Sequence, residues 1–168
     1  MSDGSPRGFH WGKTALVVLT LALSPAPVSC NRGPDDGADA NVTTMGSVEV
    51  TAQLVEIRGK PKADPLYNYA WVMKYRLLEV HRGKVSGEFI LVAHYNPYKP
   101  RPTVQDFVLA DMDENVGGRV KKIRLNDIHR IALKVPASNY WMGGIVNKFY
   151  GEEMGPIYWA VWTNLVIK

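Results

Sequence analysis

Residues 67–83 read Y-N-Y-A-W-V-M-K-Y-R-L-L-E-V-H-R-G. From Trp71 the side chains alternate: Trp71, Met73, Tyr75 and Leu77 fall on one face, and Val72, Lys74 and Arg76 on the other. A period of two over this length predicts one long strand ending in a turn at Arg82 and Gly83. After Leu77 and Leu78 the inward apolar position moves to Val80. A period-2 strand makes that step only by inserting a residue, so a β-bulge is expected near Leu78. A bulge bends the strand and increases its twist, as closure of a small barrel requires.

The flanking segments fit around this spine. Residues 84–87 continue the turn, and Glu88–His94 returns as a third strand, completing a hairpin. Upstream, Ser47–Arg58 alternates until Val55 and Ile57, where it bulges or becomes buried on both sides. Gly59–Pro65 is a loop. Downstream, Tyr95–Pro102 carries three prolines and stops the third strand. A short helix over Gln105–Ala110, an acidic loop Asp111–Asn115 and a short strand Lys121–Leu125 follow. Asn126 and Asp127 make a turn. Arg130–Val135 alternates as a strand, Ser138–Gly155 is a long excursion, and Ile157–Ile167 is the last strand, aromatic on both faces. Since a barrel core uses one face only, the outward aromatics, Trp159 or the pair Tyr158 and Trp162, should lie beneath the Trp141 excursion. The pattern is all-β with minor α: a small five-stranded OB-like Greek-key barrel with a long bulged second strand.

The N-terminal region reads as an export segment. Arg7 and Lys13 precede the apolar run Ala15–Leu23, which is too short to span a bilayer, and small residues and prolines lead to Cys30. This resembles a bacterial lipoprotein signal, which implies that Cys30 is lipidated and becomes the N-terminus. Pro27 departs from the Leu usual three residues before that Cys, and the alternative is conventional cleavage near Ser29, giving a secreted protein with a free thiol. The organisation expected is a signal peptide over 1–29, a flexible tether over 30–45 and a barrel domain over 46–168. Lipidation places the protein at a membrane in the periplasm or at the cell surface, and the lipid makes the membrane a partner.

Tyr75, Leu77, Val80, Arg82 and Gly83, followed by Gly87, Phe89, Leu91 and Val92, are similar in spacing to the second and third strands of bacterial domains related to netrin-like and tissue-inhibitor-of-metalloproteinase-like barrels. The resemblance covers about half of the body and implies an OB fold. Animal members carry disulfides, whereas Cys30 is the single cysteine here, so their protease-inhibiting edge is not carried over. Fold alone does not imply function.

The chain has 168 residues and a net charge of +4. Its basic residues are scattered rather than gathered into a stripe, which argues against a nucleic-acid partner. His81, His94 and His129 form no close-spaced ligand pair, and the Asp111–Gly117 loop lacks the frame of a calcium site. No cofactor and no catalytic residue is assigned. The aromatic residues and their polar neighbours are the better candidates. Tyr95, Asn96, Tyr98, Arg101, Trp141 and Trp159 are the proposed ligand-binding set, suited to an envelope glycan or a protein partner. The favoured reading is a non-enzymatic binding or assembly module of the cell envelope. The alternative is a metal-dependent or hydrolytic envelope enzyme using His94, His129, Asp111 and Asp113.

Overall fold

A computed structural model describes Met1 and residues 34–104, 116–152 and 155–167. The signal segment, the Gln105–Ala110 helix and the Asp111–Asn115 loop expected from sequence lie outside the described residues, apart from Met1. Seven strands form one sheet: β1 (Val48–Glu56), β2 (Tyr69–Arg82), β3 (Phe89–Tyr95), β4 (Gly117–Gly118), β5 (Ile128–Lys134), β6 (Gly144–Val146) and β7 (Ile157–Leu165). Five of them close into a ring in the order β1-β2-β3-β7-β5, with β5 returning to β1. Every neighbour in the ring is antiparallel except β3 and β7, which run parallel. This is the OB-like Greek-key barrel. Two additions lie off the ring: β6 pairs parallel with the start of β2, and β4 pairs parallel with the end of β7.

The long spine exists because its two edges are used at different heights. Ala70–Arg76 pairs with β3, and Lys74–Arg82 pairs with β1. Along the β1 edge, Thr51 faces Glu79 and Ala52 faces Leu77, so Leu78 is the extra residue of a bulge. Two more irregularities bend the same pair: His81 is skipped between Arg82 and Val80, and Val55 is skipped on β1 between Leu54 and Glu56. Val80 is 39% exposed, so these bulges carry it outward rather than into the core position its sequence phase suggests.

Two apolar cores result. The barrel interior holds Val50, Leu54, Trp71, Met73, Ile90, Val92, Ile131, Leu133 and Tyr158, with Leu77 packed at its edge. The second core lies on the outer faces of β3 and β7, around Leu91, Tyr95, Trp159, Val161 and Trp162. The excursion between β5 and β7 covers it with Trp141 and Phe149, and two short helices add Val42 and Val104. Trp159 thus lies outward and covered, as the alternation of β7 demands. Trp162 also lies outward rather than with Tyr158. A register shift skips Val161 between Trp162, opposite Ala132, and Ala160, opposite Leu133, and this reverses the facing.

Residues 35–45, expected as part of a flexible tether over 30–45, are held against the body. Asp35 forms a β-bridge with Ile167, and α1 (Ala40–Thr44) is capped by the Asp39 carboxylate, which accepts from Val42 N–H at 2.8 Å. Val42 is fully buried, worth roughly 1.5–3 kcal/mol of hydrophobic transfer. Polar composition concealed this because the anchoring is done by carboxylates. Asp39 accepts from the Trp162 indole and the Asn164 amide, and Asp35 meets Arg119. Lys121–Leu125 forms no strand but a loop over one mouth of the barrel. Gly118 has φ +136°, and a Cβ there would strike the Thr163 carbonyl, so β4 can sit against β7 only with glycine.

Candidate functional site

β2, β3 and β5 each turn one polar aromatic residue into the barrel, and these three meet. Tyr75 faces inward from the spine, His94 from the end of β3, and His129 from the start of β5. All three are fully buried. The Tyr75 hydroxyl is 2.9 Å from His94 Nε2 and 3.1 Å from His129 Nδ1. A hydroxyl has one proton, so it donates to one imidazole and accepts from the other. The Asp127 carboxylate lies 3.9 Å from His129 Nε2 and favours the proton there. His129 Nδ1 then accepts from Tyr75, whose oxygen accepts from His94 Nε2–H. The chain runs from His94 through Tyr75 and His129 towards Asp127, which is 27% exposed. His94 Nδ1 and His129 Nε2 have no hydrogen-bond partner among the described residues.

Burial keeps this group uncharged. It drives His94 well below the ordinary histidine value, with the nearby Arg101 guanidinium and His129 adding to the effect. It also pushes His129 down to about 4. Burial raises Tyr75 far above a normal phenol, against a small opposing pull from Arg101. His94 and His129, paired in the hydrolytic alternative, do come together, and Tyr75, absent from that alternative, joins them. The clue was available, since Tyr75 shares its face with Trp71 and Met73. Asp111 and Asp113, the other half of that reading, lie outside the described residues. Among the described residues no group of three or more His, Cys, Asp or Glu side chains is arranged to hold a metal. His81 is apart from the cluster, exposed and 2.7 Å from the Thr51 hydroxyl.

The six residues proposed for ligand binding are brought together, but their surfaces face one another. Trp141 and Trp159 stack with centroids 6.0 Å apart and planes 10° from parallel, and the edge of Tyr95 meets Trp141 at 4.8 Å. All three are buried. Gly143 makes the fold-over possible, because a Cβ there would enter the Trp141 indole. Arg101 is buried too, and its guanidinium donates to the carbonyls of Tyr95, Asn96 and Lys99 at 2.8, 2.6 and 3.1 Å. Desolvation lowers its pKa to about 10, so it remains a cation at neutral pH. Asn96, at φ +39°, holds the strand end through N–H to the Tyr69 carbonyl at 2.8 Å. Its side chain bonds Asn68 and accepts from Tyr98. The arrangement fixes the exit of β3.

The exposed apolar side chains are elsewhere. Leu66 (79%) and Tyr67 (70%) lie on the β1–β2 loop, and Met142 (100%) and Tyr150 (82%) on the excursion before β7. Arg58 ties the two loops, donating to the Lys148 carbonyl at 3.1 Å and pairing with Glu152, while its guanidinium lies 4.4 Å from the Phe149 ring centre. Nothing in the sequence joins these four, because a single exposed apolar residue is ordinary and only the fold shows that two tied loops carry them. No family model, curated protein or solved structure matches the chain.

Proposed function

We propose that the chain is a lipid-anchored, non-enzymatic binding or assembly module of the cell envelope, and that its ligand is a partner protein. The observation that carries this reading is the pair of tied loops exposing Leu66, Tyr67, Met142 and Tyr150. In OB barrels the loops joining strands 1–2 and 4–5 flank the surface that receives ligands, and these loops hold the corresponding places in the ring order. Aliphatic and thioether side chains beside tyrosines suit a protein surface. A stacking platform for sugar rings would instead need open aromatic faces, and those of Trp141 and Trp159 cover each other. The shielded imidazoles favour binding over hydrolysis, because a general base must reach the proton that it removes. The anchor reading rests on the sequence around Cys30. No helix among the described residues is long and apolar enough to cross a membrane.

The test is site-specific photocrosslinking in native envelopes, with the crosslinker at Leu66 or Met142 and, as control, at Thr103, which is exposed outside both loops. A discrete protein adduct from the loop positions and none from Thr103 is the expected outcome. Equal labelling at all three positions, or none at any, refutes the loop surface. An adduct that is lost on glycan digestion restores a polysaccharide ligand.

A further inference from the structure

We propose that the barrel mouth capped by residues 121–125 rests on an anionic phospholipid bilayer; this builds on the lipidation of Cys30 read above. Only residues 31–34 separate Cys30 from Asp35, and five residue steps reach at most ~17 Å. Asp35 is held firmly to the body: its N–H donates to the Ile167 carbonyl at 2.9 Å, its carbonyl accepts from Ile167 N–H at 2.7 Å, and its carboxylate pairs with Arg119 at 3.3 Å. An acyl group on Cys30 therefore holds the Asp35 end of the barrel close to the bilayer.

The residues at that end suit such a surface. Val166 N–H bonds the Ile128 carbonyl, so the end of β7 and the start of β5 share this end of the barrel. The capping loop leaves β7 where Val120 N–H meets the Thr163 carbonyl and reaches β1 where Asn126 N–H meets the Leu54 carbonyl. Between these points Ile123 packs against the interior core, while Lys121, Lys122, Arg124 and Leu125 are exposed. Leu125 is 51% exposed and Ile167, beside Asp35, 52%.

Asp35 and Asp39 share Arg119, and Asp36 and Glu49 share Arg130, while Asp127 lies beside the uncharged His129. Lys121, Lys122 and Arg124 have no ion pair among the described residues, so the capping loop itself presents three cations to its surroundings. Cations placed to meet phosphate oxygens, with two aliphatic side chains able to enter the headgroup layer, match an anionic bilayer, and they supply the second attachment that a lipid anchor needs for stable hold.

The test uses the full chain exported from a bacterial host. Mass spectrometry of the N-terminal peptide first establishes whether Cys30 is acylated. The purified lipoprotein then enters vesicles of phosphatidylcholine, with or without phosphatidylglycerol, that contain nitroxide-labelled lipid. A fluorophore is attached at Leu125→Cys or, for comparison, at Lys84→Cys. Lys84 follows Gly83, which abuts Ser47 at the far end of β1, roughly 20 Å along the strand from Leu54. The expected result is quenching several-fold stronger at position 125 than at 84, increased by phosphatidylglycerol. That difference is lost in the Lys121→Gln/Lys122→Gln/Arg124→Gln variant. An acylated protein quenched equally at both positions overturns the docking and leaves the anchor standing. A protein with unmodified Cys30 overturns both.

Discussion

Lowering the pH from 7.5 to 5.0 should destabilise the fold by about 2 kcal/mol through His129, with a further loss of the same sign from His94; neither histidine touches solvent. An unfolded imidazole titrates near 6.5, whereas His129 in the fold titrates at about 4 and His94 well below 6.5. The folded state therefore binds fewer protons than the unfolded state below 6.5, and stability must fall as pH falls. The loss is negligible above 6.5, grows as pH drops towards 4 and levels off only below the folded value. For His129 alone the linkage gives about 2 kcal/mol between pH 7.5 and 5.0, and about 3 kcal/mol in full. His94 adds a loss of the same sign, because burial holds its folded form well below the ordinary histidine value.

The lowered carboxylates Asp36, Asp39 and Glu152 titrate below this window, so they do not mask the effect. Urea unfolding followed by tryptophan fluorescence at several pH values measures it, and imidazole proton shifts in NMR report whether the two rings stay neutral at pH 5. A stability that is flat between pH 7.5 and 5.0, or an imidazole of either ring that titrates normally in the folded protein, would refute the buried chain of hydrogen bonds.

Three further outcomes follow from the same packing. Tyr75→Phe removes the hydroxyl between two buried imidazoles and leaves both nitrogens unpaired. It should cost about 1–3 kcal/mol in chemical denaturation, with little change in denaturant slope. Arg101→Met should cost about 2–4 kcal/mol, measured as a lower thermal midpoint, because two buried carbonyls and one half-buried carbonyl lose charge-assisted donors. Trp141→Ala empties the space between Tyr95, Trp159 and the excursion and should cost about 3–5 kcal/mol. Near-ultraviolet circular dichroism should show loss of the stacked-indole signal in that variant, and an unchanged spectrum would count against the stack.

The strands of the barrel were legible because period-2 patterning survives wherever one face is buried. The bulge at Leu78 could be placed to the residue, since the change of phase is written in Leu77, Leu78 and Val80. What followed the bulge was less legible: two further irregularities on the same strand pair turn Val80 outward, and a run of apolar residues looks the same on either side of such a step. Trp162 was misplaced for the same reason, as the extra residue in β7 has no compositional mark. The packed segment from Asp35 to Met45 was hidden because its attachments are Asp side chains, which in sequence resemble those of a solvated linker. The meeting of Tyr75, His94 and His129 depends on three strands separated by 19 and 54 positions from the tyrosine, a relation no local pattern encodes.

One consequence concerns the order in which the barrel can come into being. β7 joins β3 to β5, so without it the remaining strands form an open sheet, β5-β1-β2-β3, with an unpaired edge on each side. Residues 157–165 are the last of these strands to be synthesised. Until they arrive the ring cannot close, and the faces that become its interior stay wet. The fold thus withholds its own completion from a chain still being made.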